Sequence, residues 1–316
     1  MTLIQLEYVL AVAESRNFTT AAEKAHVTQP TLSMQIQKLE KELNVDIFDR
    51  STHPIRITAI GHVILDQARV ILKEAKRMSY IVSEQKNNLE GEFTIGMIPT
   101  VLPTLVPLIY KNFTAKFPNA RLQIKELKTD AIISALEEDV IDFGIAVTPL
   151  NKSDIIELPL YYEPMVAFIP EHHRLSNLDE IKESDLDLKD LLLLEEGHCF
   201  RNNVLSICEC YLEGGEDNII LDVDSGSFQT MIKLAKDGFG MTILPSLQAE
   251  DLSAEDSKYI KKFRDPAPTR EVSLIFHKTQ LRLKFVDEFK ELIQSVVRGK
   301  IYLESDKRTL PVLRLK

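Results

Sequence analysis

Apolar positions recur at helical spacing through the first ninety residues and then give way to an alternation of short apolar runs and amphipathic stretches. Leu6, Val9, Leu10 and Ala13 form one stripe and predict a first helix ending near Ser15-Arg16-Asn17. A second, short helix is predicted from about Phe18, with Asn17 as N-cap and Phe18, Ala21, Ala22 and Ala25 facing inward. His26-Val27 make a turn. Thr28 caps a third helix that tolerates Pro30 in its first turn, where that N–H has no helical partner, and Leu32, Ile36, Leu39 and Leu43 are its inward face.

The opposite face of that third helix carries Pro30, Thr31, Ser33, Met34, Gln37, Lys38 and Lys41. Short polar side chains followed by lysines suit a helix whose N-terminal end enters a DNA major groove. A plain three-helix bundle with a solvated face has the same pattern. Asp46 to Thr58 then reads as two short extended pieces around a Pro-containing turn, a wing that sets Arg50 and Arg56 for phosphates or the minor groove. One long helix is predicted from Ile60 to Leu89. In it Ile64, Ala68, Ile71, Ala75, Met78, Val82, Gln85 and Leu89 alternate four and three apart, a heptad seam whose natural partner is its own copy in a second subunit.

Gly91 breaks the helix and an α/β rhythm follows. Strands are predicted at Phe93–Ile98, Arg121–Leu127 and Asp142–Val147, with helices at Pro103–Phe117 and Thr129–Glu138 between them, which implies a mostly parallel sheet. The pattern shifts near Pro149–Asn151, and Pro164 to Pro170 opens a second unit. That unit holds strands near Ile219–Val223 and Met241–Leu244 and a helix from Ser227 to about Lys236. Val272–Phe276 reads as a strand returning to the first unit, followed by a helix from about Leu281 to Val297.

The predicted layout is a winged helix-turn-helix over 1–58, a linker and dimerisation helix over 59–90, and a two-lobed α/β body over 91–316. Its lobe I spans about 91–162 and 268–300, and its lobe II about 163–267. Ligands in such sheets sit beyond the C-terminal strand ends. Thr100 and Thr129 would then lie on one side of an inter-lobe cleft and the Cys199 turn on the other, with Arg270 a further candidate by position. The tail from Arg298 to Lys316 shows no clear period.

Charge sharpens this layout. The first 90 residues balance 11 Lys/Arg against 11 Asp/Glu, so the whole net charge of −10 falls in the C-terminal part. A nonspecific nucleic-acid binder is disfavoured, while a neutral DNA reader on an acidic body is allowed. No run of eighteen apolar residues predicts a membrane span. The N-terminus lacks a signal-peptide pattern, and three cysteines make no disulfide framework, so a cytoplasmic location is expected.

Two of those cysteines lie in Gly197-His198-Cys199-Phe200-Arg201-Asn202-Asn203-Val204-Leu205-Ser206-Ile207-Cys208. Following the apolar run Leu191–Leu194, Cys199 falls where a strand ends and a helix begins. A helix N-terminus, Arg201 and a protonated His198 all favour thiolate, the form that attacks a peroxide. If 199–208 is one helix, nine steps put the two Cα atoms about 13 Å apart, whereas a disulfide needs about 7 Å or less. The pair can be bridged only by unwinding the segment between them, so oxidation would be a conformational event. The alternative is that both are ordinary buried apolar residues. Cys210 belongs to no pattern, and His62, His172, His173 and His277 show no metal-ligand spacing. No phosphate loop and no Ser/His/Asp arrangement stands out, so no metal, cofactor or independent enzymatic site is expected.

Thr19-Thr20-Ala21-Ala22-Glu23, Val27-Thr28-Gln29-Pro30-Thr31-Leu32-Ser33-Met34-Gln35-Ile36, Leu39-Glu40, Phe48-Asp49-Arg50 and Thr58-Ala59-Ile60-Gly61 closely resemble the winged helix-turn-helix of LysR-type transcriptional regulators. By that resemblance the DNA-reading role falls to Gln29, Pro30, Thr31, Ser33 and Lys38, with Arg50 and Arg56 on the wing. Met34 and Gln37 depart from the pattern, since many relatives carry a basic residue at one or the other. The body resembles the family's effector domain, which shares its fold with periplasmic binding proteins. Ile98-Pro99-Thr100-Val101, Thr129, Glu163-Pro164-Met165, Leu194 to Cys199 and the step to Cys208 resemble the peroxide-sensing branch. There the first cysteine becomes a sulfenic acid and the second captures it as a disulfide.

The resemblance thus implies Cys199 as peroxidatic and Cys208 as resolving residue, with Thr100, Thr129 and His198 orienting peroxide by hydrogen bonds. It also implies promoter double-stranded DNA, hydrogen peroxide, further copies of the chain as dimer or tetramer, RNA polymerase and a cytosolic thiol reductant as partners. Two other readings stay open: a family member responding to a small organic ligand in the cleft, and a thiol peroxidase.

Overall fold

The computed structural model describes residues 1–52, 54–85, 90–195, 199–208, 226–280 and 282–301. The chain divides into two compact units, Met1–Asn88 and Leu89–Lys316. In the first, α1 (Leu3–Ser15), α2 (Phe18–Lys24) and α3 (Gln29–Leu43) are followed by a two-stranded wing, β1 (Phe48–Asp49) antiparallel to β2 (Arg56–Ile57), and by α4 (Ala59–Gln85). The caps sit where local chemistry requires them. Asn17 accepts from the N–H groups of Thr19 and Thr20, and Thr28 from that of Thr31, so each helix start has orphan donors met by its cap.

One inward assignment differs from expectation, and one buried acid was not anticipated. Leu43 is exposed, because α3 ends there and turns through the left-handed Asn44. Glu40 is buried in its stead, its Oε1 accepting from the N–H groups of Ile47 and Phe48 and its Oε2 from Arg50. The heptad seam of α4 also divides. Ala68 and Leu65 belong to the core with Leu6, Val9, Leu32 and Ile36, and Ile64, Ile71 and Leu72 pack against that core. The first half of the seam therefore closes the unit itself, whereas Met78 in the second half is exposed. Residues 86–89, where the helix was expected to end, lie outside the described residues.

The body begins with β3 (Gly91–Met97), α5 (Leu102–Lys116), β4 (Ala120–Glu126), α6 (Thr129–Glu137) and β5 (Phe143–Thr148). The long β6 (Ile155–Phe168) and the short β7 (Glu180–Ile181) and β8 (Leu191–Leu192) follow, then α7 (Cys199–Ile207) and α8 (Phe228–Leu234). The described chain continues through β9 (Met241–Pro245), α9 (Ser246–Glu250), α10 (Ala254–Ser257), β10 (Ile260–Phe263), β11 (Thr269–His277) and α11 (Leu283–Val297). The strand expected at Ile219–Val223 lies outside the described residues.

The sheet runs β4-β3-β5-β11-β6-β10-β7, with β9 also on β6 and β8 on β9. It is mixed rather than mostly parallel. β3 pairs in parallel with β4 and β5, but β11 is antiparallel to both β5 and β6. The physical reason is that β6 and β11 carry the chain between two cores in opposite directions, and an apolar run does not encode direction. One core gathers Phe93, Ile145, Tyr161, Leu274 and Phe289; the other gathers Phe168, Leu192, Phe200, Cys208 and Ile243. β6 contributes Leu160 and Tyr161 to the first and Met165 to Phe168 to the second, so Glu163 falls between them.

Candidate functional site

Leu191 to Leu194 are all buried, and α7 starts at Cys199, as the strand-to-helix expectation had it. α7 is one uninterrupted helix of nine residues, packed through Phe200, Val204, Leu205 and Ile207. Cys208 follows its last turn, fully buried, its N–H donating to the Leu205 carbonyl at 3.2 Å. Arg201, two residues past Cys199, is also buried and donates from Nη1 to the Leu194 carbonyl at 3.0 Å, which ties the first turn of α7 to the end of the preceding run. His198 and Cys210 lie outside the described residues.

Arg270 stands at the start of β11, 1% exposed. Opposite it in the β11–β6 register stands Glu163, equally buried. Arg270 donates to Glu163 Oε2 from Nε at 2.9 Å and from Nη2 at 2.7 Å. Its Nη1 donates to Thr100 Oγ1 at 3.0 Å and its Nη2 to the Thr100 carbonyl at 3.1 Å. The other Glu163 oxygen accepts from the N–H of Leu247 at 3.0 Å. The guanidinium carbon lies 5.4 Å from the ring centroid of Phe200, in the first turn of α7. One buried cation thus joins Thr100, at the end of β3, to the helix that Cys199 begins.

Thr129 is the first residue of α6, and its Oγ1 is buried without a hydrogen-bond partner among the described residues. Beside it Lys128 pairs with Glu195 at 2.8 Å, which brings the start of α6 to the segment leading into α7. The Tyr161 hydroxyl is likewise buried and unpartnered among the described residues. Burial pushes its phenol pKa far up, Glu163 adds to the shift and Arg270 opposes it. The structure therefore brings Thr100, Arg270 and the first turn of α7 together, and brings Thr129 to the approach to that turn. Glu163 was legible only as part of a resembling motif, and Tyr161 not at all; an isolated acid inside an apolar strand was the signal available for the former. Among the described residues no His, Cys, Asp and Glu cluster could hold a metal.

In the first unit Gln29, Pro30, Thr31 and Lys38 are exposed on α3 and Ser33 is half-buried. The Thr31 hydroxyl lies 2.8 Å from that of Thr28. Arg56 is exposed on β2, opposite Asp49, whose carboxyl is held below its ordinary pKa first by hydrogen bonds from Ser51 and then by Arg56. Arg50 is placed differently from Arg56. Its guanidinium binds Glu40 at 2.7 Å and stacks 5.0 Å from the Phe18 ring centroid, so it braces the wing while its side chain stays 34% exposed.

Residues 3–62 match the family model for the bacterial regulatory helix-turn-helix protein of the lysR family, and residues 86–298 match the LysR substrate binding domain. The DNA-binding transcriptional dual regulator OxyR of Escherichia coli K12 is 33% identical over 300 residues, covering 95% of this chain and 97% of that protein. The chain belongs to the LysR family, on its OxyR branch. A hydrogen peroxide-inducible genes activator of Dickeya chrysanthemi is also 33% identical, over 87% of this chain and 89% of that protein. Among solved structures, full-length OxyR C199D from Pseudomonas aeruginosa superposes with a TM-score of 0.75 at 30% identity, covering 93% of this chain and 98% of that one. This regulator thus shares family and architecture with OxyR proteins along nearly its whole length. Among its described residues no helix is long and apolar enough to cross a membrane.

Proposed function

We propose that this regulator senses hydrogen peroxide at Cys199 and reports the event to promoter DNA. The Cys199 thiolate attacks one peroxide oxygen, the O–O bond breaks, and hydroxide leaves, giving the sulfenic acid. The Cys208 thiolate then attacks that sulfur and displaces its oxygen, which takes up a proton and leaves as water, and the S–S bond forms. A cytosolic dithiol reductant returns both thiols. The observation that carries this reading is the pairing of a cysteine at the first position of α7 with a second one buried just beyond its end.

Because α7 is continuous, the two Cα atoms stand about 13 Å apart by helical rise, and bonding requires about 7 Å or less. α7 must open and Cys208 must leave its core, so the oxidised chain repacks one face of the effector domain. Donors aimed at the leaving oxygen stabilise developing hydroxide without a competing negative charge. Thr100, braced by Arg270, and Thr129, with an uncommitted buried hydroxyl, fit that task, and His198 is the third group proposed for it. The repacking resets copies of the chain within a dimer or tetramer, and so the spacing of Gln29, Pro30, Thr31, Ser33 and Lys38 on DNA, with Arg56, and to a lesser extent Arg50, on backbone phosphates. Contact with RNA polymerase and a cytoplasmic location follow from the same reading.

Thiol titration of purified protein before and after stoichiometric peroxide tests it. Loss of two thiols in the wild type, with none lost to a disulfide in Cys199→Ser, is the expected result. No thiol loss at low peroxide defeats the sensor reading and favours a cleft-binding organic effector. Rapid turnover with reductant, together with no promoter binding, favours a thiol peroxidase.

A further inference from the structure

The DNA-reading face of α3 contains a residue that polar recognition does not explain. Met34 is 60% exposed, one turn beyond Pro30 and Thr31, on the side of α3 opposite the buried Leu32, Ile36 and Leu39. Three residues on stands Gln37, also exposed, and spacings of three and four make such side chains neighbours on a helix surface. α3 holds no arginine, and its lysines, Lys38 and Lys41, come only in its second half. A polarizable thioether in water amid polar neighbours gains from an apolar surface.

The major groove offers one apolar group, the C5-methyl of thymine. The adenine paired with it presents N7 and N6–H₂, the pattern a glutamine side chain meets in bidentate fashion, whereas guanine O6 and N7 call for a basic side chain. Met34 and Gln37 together therefore match the two halves of A·T base pairs. We infer that Met34 is a specificity-determining residue that reads a thymine methyl, with Gln37 reading adenine beside it, so that this regulator prefers A·T where a basic residue would select G·C. The inference rests on α3 being the DNA-reading helix.

The test uses full-length reduced protein and a random duplex DNA library. After selection, each enriched thymine is replaced in turn by deoxyuridine, which lacks only the methyl, and affinities are measured for the wild type, Met34→Ala, Met34→Arg and Thr31→Ala. At one thymine per half-site, deoxyuridine should weaken the wild type about fourfold, the ~0.8 kcal/mol of one buried methylene-sized group, and leave Met34→Ala unaffected. Met34→Arg should shift that position toward guanine. An unchanged deoxyuridine sensitivity in Met34→Ala, or no sensitive thymine at all, overturns the Met34 assignment. The helix reading still stands in that case if Thr31→Ala weakens selected sites. No enriched sequence from the library, or selected sites indifferent to Thr31→Ala, overturns the α3 reading and this inference with it.

Discussion

Arg270 and Glu163 carry opposite charges at 1% exposure each, and such a pair survives burial only because every strong donor and acceptor has a partner. Removing one member leaves the other charged and dry. Glu163→Ala should cost the effector domain about 3–5 kcal/mol, read as a lowered urea midpoint with an unchanged slope; a loss under about 1 kcal/mol would show that the site is wet. Glu40 holds the wing in a similar way through two backbone N–H groups and Arg50. Glu40→Ala should therefore destabilise the DNA-binding unit by about 1–3 kcal/mol for the stranded donors, read as a lowered thermal midpoint. Asp190 provides a pH test. Burial pushes its carboxyl up, but the His173 ring nitrogen 3.1 Å away and a hydrogen bond from Arg174 outweigh it and hold the pKa below the ordinary 3.8. A lowered folded pKa contributes stability present above the ordinary value and lost as pH falls through the folded one. A melting profile should drop below about pH 4 in the wild type and drop less in Asp190→Asn.

At the scale of elements, the caps at Asn17 and Thr28 and the stripes of α1 to α3 were legible because their partners lie within a few residues. The Arg270 contacts to Glu163 and Thr100 span 107 and 170 residues, beyond the reach of any local pattern. The α4 seam was legible as a period but not as to what it packs on, since Ala68 meets the core of its own unit while Met78 stays exposed. On the proposal that a second copy covers Met78, Met78→Asp should lower the apparent mass in light scattering, whereas Val63→Asp, also exposed but off the seam, should not. The direction of β6 and β11 was likewise hidden, because it follows from the chain crossing twice between two cores.

For the whole molecule, family membership was legible through the resemblance of the helix-turn-helix and cysteine motifs to those of known regulators. The internal bracing of the site was not. We propose that oxidation and unwinding are one event, since Cys199 begins a continuous α7 and Cys208 sits buried beyond it. Amide hydrogen exchange across residues 199–208, before and after one equivalent of peroxide, measures this directly. The reduced protein should protect the amides of Val204 to Ile207, and that protection should vanish in step with a Cys199–Cys208 disulfide mapped in the same sample. A disulfide forming with α7 still protected, or peroxide leaving both cysteines reduced, would rule out that coupling.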